Sequence, residues 1–103
     1  IARDEVFGPV LSVLTYETLD QAFDILDDTE FGLTSALYST DSGVIARFMA
    51  ESRTGMVHVN HATTPDSNMP FVGIRNSGVG ACSVGPGAAA FYTTEHAVYL
   101  GQQ

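Results

Sequence analysis

Leu33-Thr34-Ser35-Ala36-Leu37-Tyr38-Ser39, then Thr40-Asp41-Ser42, then Ile45 with Phe48-Met49, and finally Gly55-Met56-Val57-His58-Val59-Asn60: this stretch, read in order, decides the fold. Leu33 to Ser39 is β-like in pattern, and Thr40-Asp41-Ser42 is a helix-start signal. Ile45, Phe48 and Met49 fall on one helical stripe, Gly55 is expected to close that helix, and Met56–Val59 reads as a second short strand. A strand, a helix and a strand joined by only a few residues form a βαβ unit, and its crossover is right-handed, with the helix against the sheet.

The same logic extends toward the N-terminus. Val10-Leu11-Ser12-Val13-Leu14 is a short, nearly continuous apolar run, as expected of a strand buried on both faces. Leu19, Ala22, Phe23 and Leu26 lie at i, i+3, i+4 and i+7, one apolar stripe of an amphipathic helix. Thr18 and Gln21 have the spacing of a capping box, and Gly32 suits a left-handed stop after the helix. The expected class is therefore α/β, with a parallel βαβαβ sheet segment. Residues 61–87 are rich in Thr, Pro, Ser, Asn and Gly without periodicity, and so long an irregular stretch is often functional. Phe91–Thr94 and Ala97–Leu100 resume a strand-like pattern. A terminal strand is an edge that something must cover, and another subunit is a natural candidate.

The chain has 103 residues, 45% of them hydrophobic and 16% charged, as in a globular, soluble domain with one core. Twelve acidic residues oppose four basic ones, for a net charge of −8. Nucleic acid is therefore not an expected partner, because phosphate neutralisation needs clustered Lys and Arg. Asp20, Asp24, Asp27, Asp28 and Glu30 read as a solvated helix face. No apolar run approaches the roughly 20 residues of a membrane helix, and no signal-peptide pattern is seen. No membrane partner is expected. A single cysteine, Cys82, excludes an internal disulfide and fits a reducing, cytoplasmic setting. The start at Ile1-Ala2-Arg3, without an initiator Met, reads as that of a fragment.

Composition and periodicity carry the reading no further than an α/β domain. Two motifs do. Glu5-Val6-Phe7-Gly8-Pro9 resembles the Glu-x-Phe-Gly-Pro signature of the aldehyde dehydrogenase superfamily. Asn60, followed by Pro70-Phe71-Val72-Gly73-Ile74-Arg75-Asn76-Ser77-Gly78-Val79-Gly80, resembles that family's Pro-Phe-Gly-Gly-x-Lys-x-Ser-Gly-x-Gly stretch. Phe31-Gly32-Leu33, Thr40-x-Asp (with Ser42 after Asp41) and Gly55–Asn60 match the family's landmarks between them, so the resemblance runs over nearly the whole chain.

The first motif is coherent physically. An ionised carboxylate accepts hydrogen bonds from both vicinal hydroxyls of a ribose, and Glu5 is the residue placed to do so; the resemblance implies that it binds the nicotinamide ribose of NAD or NADP. Phe7 offers a rigid apolar surface against the nicotinamide ring. The bland alternatives are a solvated carboxylate near a chain end for Glu5 and a core aromatic for Phe7. For the second motif a glycine-dependent turn system is the first reading. The resemblance further implies that the loop His61–Met69, with Pro65 in it, lines the aldehyde tunnel. Phe71 would then be a pocket wall, although plain core fits it equally. The chain departs from the family at Val72, where a glycine is usual, at Arg75, where Lys is usual, and over Ala81–Gly87, where an Arg-rich step is replaced.

Other constellations fail. Gly78, Gly80 and Gly85 lack dinucleotide-loop spacing. His58, His61 and Cys82 show no recognised ligand spacing, so no metal is expected. Cys82 has no evident base and reads as inert; His96 reads as a surface residue. No catalytic residue is assigned here: by resemblance the nucleophilic cysteine, general base, oxyanion-hole asparagine and dinucleotide-binding domain lie outside this chain. The expectation is thus a piece of an NAD(P)-dependent enzyme that oxidises an aldehyde to a carboxylic acid, inactive alone. In such an enzyme a cysteine thiolate attacks the aldehyde, hydride passes to nicotinamide, and a glutamate-activated water hydrolyses the thioester. By resemblance, residues 1–93 are the C-terminal part of the catalytic domain and 94–103 a terminal strand that pairs subunits into a homo-oligomer. A non-catalytic interaction module, or a small α/β ligand-binding domain, stays open as the alternative.

Overall fold

Asp41 starts the central helix. Its carboxylate accepts from the amides of Gly43 (2.8 Å) and Val44 (3.0 Å), satisfying two of the donors every helix start leaves over, a cap worth about 1 kcal/mol. The computed structural model describes residues 1–102, and its elements run α1 (Leu19–Asp27), β1 (Phe31–Gly32), β2 (Thr34–Leu37), α2 (Ser42–Glu51), β3 (Met56–Val59), β4 (Ile74–Arg75), a 3-10 turn (Gly85–Gly87) and α3 (Ala88–Tyr92). Gln103, the end of the strand expected over 94–103, lies outside the described residues. β2 and β3 pair in parallel, from Thr34 opposite Met56 to Leu37 opposite Val59, across α2. This is the βαβ unit expected from the sequence.

α1 opens at Thr18, whose hydroxyl accepts from the Gln21 amide at 3.2 Å. The return bond of the capping box lands one residue early, with Gln21 accepting from the amide of Glu17 at 2.8 Å. The core lies between the helices and the parallel pair. Phe48 of α2 is 3% exposed, and Leu19, Ala22 and Phe23 of α1 line a groove with Leu37 and Phe48. Arg47 ties α2 to α1: its guanidinium lies 4.3 Å from the Phe23 ring centre and meets Asp20 at 2.6 Å and Glu51 at 3.0 Å. The hydrogen bonds from Asp20 and then Glu51 hold Arg47 above the usual arginine pKa.

Beneath the sheet, Ser35, 6% exposed, shares hydrogen bonds with Ser52 (2.8 Å) and Thr54 (2.7 Å). Thr54 donates to the carbonyl of Met56 at 2.9 Å. A hydroxyl has one proton to give, so Thr54 accepts from Ser35, and Ser35 in turn from Ser52. The bonds run in one direction, Ser52 to Ser35 to Thr54 to Met56.

Several expectations are corrected. Residues 10–14 form no strand, and Leu11 is 87% exposed; a strand exists only in a ladder, and no strand among the described residues runs beside this segment. Ala97–Leu100 is exposed and pairs with no strand among the described residues, which leaves open the pairing with another subunit expected of it. Phe91 and Tyr92 lie in α3, because the strong helix former Ala fills the positions before them. Sheet pairing is not wholly parallel, since β1 and β4 are antiparallel. Met49 faces solvent. Gly32 and Gly55 stop no helix: α1 ends at Asp27 and α2 at Glu51. Their lack of a side chain serves close approach instead. A Cβ on Gly32 would lie 2.8 Å from Cγ1 of Ile74, and one on Gly55 2.0 Å from the carbonyl oxygen of Val72.

The terminal segments reach away from this unit. The Cα radius of gyration is 18.8 Å and the longest extent 74 Å, against about 13 Å radius for a compact chain of similar length. No helix among the described residues is long and apolar enough to cross a membrane.

Candidate functional site

Asn60 fixes where the irregular loop leaves the sheet. Its φ is +50°, a left-handed conformation that Asn tolerates better than other residues with a side chain, apart from Asp. Its amide continues the parallel ladder: Oδ1 accepts from the Ser39 amide and Nδ2 donates to the Ser39 carbonyl, both at 2.9 Å. The backbone amide of Asn60 reaches Leu37 at 2.7 Å. The chain therefore turns sharply off β3 and doubles back over it.

That turn creates a cleft of about 410 Å³ between β3 and the returning loop. Phe71 and Pro65, singled out from the sequence, both line it, together with Met69 and Val72. Asp66 shapes the loop, accepting from the amide of Asn68 at 2.8 Å and from its side chain at 3.1 Å, while its carbonyl accepts from Met69. Met56, Val57 and His58 of β3 all border the cleft, as does His61. The His58 and His61 rings stack with centroids 5.8 Å apart and an interplanar angle of 15°. Nε2 of His58 is buried and has no hydrogen-bond partner among the described residues. The sequence expectations place His58 in a strand and His61 in the loop that lines the aldehyde tunnel, and weigh both as metal ligands, without bringing the two rings together. Among the described residues no group of three or more His, Cys, Asp or Glu side chains is placed to hold a metal ion.

The far end of the loop is anchored by the second motif. Arg75 donates to the carbonyl of Thr29 at 2.8 Å and to the carboxylate of Asp27, so a cation sits where the α1 macrodipole is negative. Asn76 donates from its side chain to Glu30 at 2.7 Å, and the Ser77 hydroxyl accepts from the Gly32 amide at 3.0 Å. Asp27 also meets Arg53 at 2.9 Å. Three of the residues after Phe71 thus hold the cleft wall to the turn between α1 and β1.

Glu5 and Phe7 stand elsewhere, on the N-terminal segment, and neither borders this cleft. Arg3 secures that segment to Asp28. Phe7 is 90% exposed with φ +51°, an outlier for a bulky residue that costs on the order of 1–3 kcal/mol. Glu5 is exposed, and the ion pairs among the described residues run between other side chains. A carboxylate and a phenyl ring thus stand exposed two residues apart on this segment. A larger cleft of about 650 Å³ lies between α1 and α2, but its arginines, Arg47 and Arg53, are spent on Asp20, Glu51 and Asp27.

Residues 1–98 match the Aldehyde dehydrogenase family. The chain is 41% identical over 100 residues to a geranial dehydrogenase of Castellaniella defragrans, covering 97% of this chain and 20% of that protein. It superposes on a lactaldehyde dehydrogenase from Escherichia coli with a TM-score of 0.86 at 30% identity, over 95% of this chain and 20% of the other. An indole-3-acetaldehyde dehydrogenase of P. syringae in complex with NAD+ gives 0.82 at 35% identity, over 90% and 19%. The chain spans about a fifth of the length of the relatives it matches.

Proposed function

This chain belongs to the aldehyde dehydrogenase family, and from that premise we propose that it works as part of an NAD(P)-dependent enzyme oxidising an aldehyde to a carboxylic acid. Glu5 receives the ribose hydroxyls and Phe7 sets the nicotinamide ring. Phe71 and Pro65 wall the aldehyde's approach. The observation that carries the reading is Phe7, a large aromatic held in a costly left-handed conformation with its ring in the open. Strain of this kind persists where it serves a site.

When bound, the cofactor supplies a hydride acceptor. This chain's own residues bind and orient. The Glu5 carboxylate fixes the ribose, Phe7 limits the rotation of the ring, and the cleft under Phe71 excludes water from an apolar substrate. The chain brings no nucleophile or general base of its own to the reaction. On this reading residues 1–93 belong to the catalytic domain and 94–103 form a strand that pairs with another subunit; the exposed apolar Val98, Tyr99 and Leu100 support it. The unpaired Cys82 supports a cytoplasmic setting.

The test is made in the full-length protein that carries these residues. Glu5→Gln, losing charge-assisted bonds worth about 1.5–3 kcal/mol, raises the KM for NAD(P) about 10- to 100-fold. Phe7→Ala lowers kcat with less effect on cofactor KM. Unchanged cofactor kinetics in both variants would refute the assignment.

A further inference from the structure

The cleft between β3 and the loop carries more flat surface than the proposed substrate wall uses. His58 and His61 stack nearly parallel, at 15°, on the same cleft that Phe71 lines. A contact between Nδ1 of His61 and the carbonyl of Ala62 pins the His61 ring, and the strand register opposite Ala36 fixes the backbone of His58. Ala36 places only a methyl group across from that imidazole, which leaves room for the ring. The remaining lining is mostly apolar, with Met56, Pro65, Met69 and Val72. It includes no Lys or Arg that would pair with a carboxylate on the substrate, and its one carboxylate, Asp66, is engaged by Asn68.

From this arrangement we propose that the His58–His61 stack is the specificity-determining element of the cleft, selecting a planar, conjugated or aromatic aldehyde over a saturated one of equal size. This rests on the reading of the cleft as the aldehyde's approach. Two fixed, near-parallel imidazoles and a phenyl ring offer faces and edges to a flat π-system. Such ring pairs contribute beyond the area they bury, whereas a puckered saturated ring makes only dispersion contacts. A substrate bearing a carboxylate finds no Lys or Arg in the cleft lining to pair with, so its desolvation is poorly compensated.

The experiment uses the full-length protein and compares kcat/KM for benzaldehyde with that for cyclohexanecarbaldehyde, two aldehydes with the same number of carbons. The wild type favours benzaldehyde. His61→Leu, at an exposed position, and His58→Leu each reduce that ratio about 3- to 10-fold, the loss expected for one ring pair. His61→Phe retains it, which a merely structural histidine would not predict. A wild-type ratio near one, or a ratio unmoved by His61→Leu, overturns the proposal while leaving aldehyde oxidation intact. Absence of NAD(P)-dependent oxidation of any aldehyde by the wild type instead overturns the functional reading and this proposal with it. Should His58→Leu fail to fold, the His61 pair of variants decides alone.

Discussion

Replacing Asn60 with Ala tests whether this side chain is the latch that positions the cleft. The substitution removes both 2.9 Å bonds to Ser39. Each is solvent-exposed, so the loss lies at the lower end of the usual range, about 0.5 kcal/mol apiece. It also places a Cβ without a compensating side chain at φ +50°, a further cost of about 1 kcal/mol. The total is about 2 kcal/mol of local stability. Asn60→Gly loses the bonds but accepts the conformation freely, so it recovers about 1 kcal/mol relative to Ala. Amide hydrogen exchange in the full-length protein reads this locally. Ser39, whose N–H is held by Asn60, should exchange about 30-fold faster in the Ala variant, with smaller acceleration in the Gly variant. Because the loop leaves the sheet here, the KM for the aldehyde rises in the same order. Unchanged protection of Ser39, or equal effects of Ala and Gly, would refute the latch.

Two further outcomes follow from the anchor and the cleft floor. Arg75→Lys keeps the charge but not the fork that serves Thr29 and Asp27 together, and should lower stability by about 1 kcal/mol, seen as a drop in Tm; Arg75→Ala should cost more. Gly55→Ala forces a methyl group against the Val72 carbonyl, 2.0 Å from the built position. It should destabilise by about 1–3 kcal/mol and impair aldehyde binding more than cofactor binding, measured as separate KM values.

The sequence announced the parts of the fold that are held locally. Thr18 and Asp41 cap their helices through atoms three residues away at most, so their spacing could be read directly. The β2–β3 pair was visible because α2 joins its strands. What remained hidden depends on partners far along the chain. Gly32 and Gly55 look like helix stops until Ile74 and Val72 are brought against them. Residues 10–14 have the composition of a buried strand, but composition cannot supply a neighbour. For Phe91 and Tyr92, β propensity lost to the alanines before them. In the site, Pro65 and Phe71 were singled out through motif resemblance, and the structure brings them to one cleft. The pairing of His58 with His61 needed the turn at Asn60, whose left-handed φ no pattern of hydrophobicity records.

The one-way run of hydroxyls from Ser52 through Ser35 and Thr54 to Met56 bears on how this sequence can drift. Ser35 and Thr54 each both give and receive, so exchanging Ser35 alone for an apolar residue removes the acceptor of Ser52 and the donor to Thr54, leaving between those two only their longer 3.3 Å contact. A neutral path must alter the members in order, beginning at Ser52, which receives from neither of the others. Serine and threonine can trade at these positions provided the extra methyl group fits, since either keeps the proton moving the same way. Among living relatives, these three positions should therefore keep a hydroxyl, or lose it starting from Ser52.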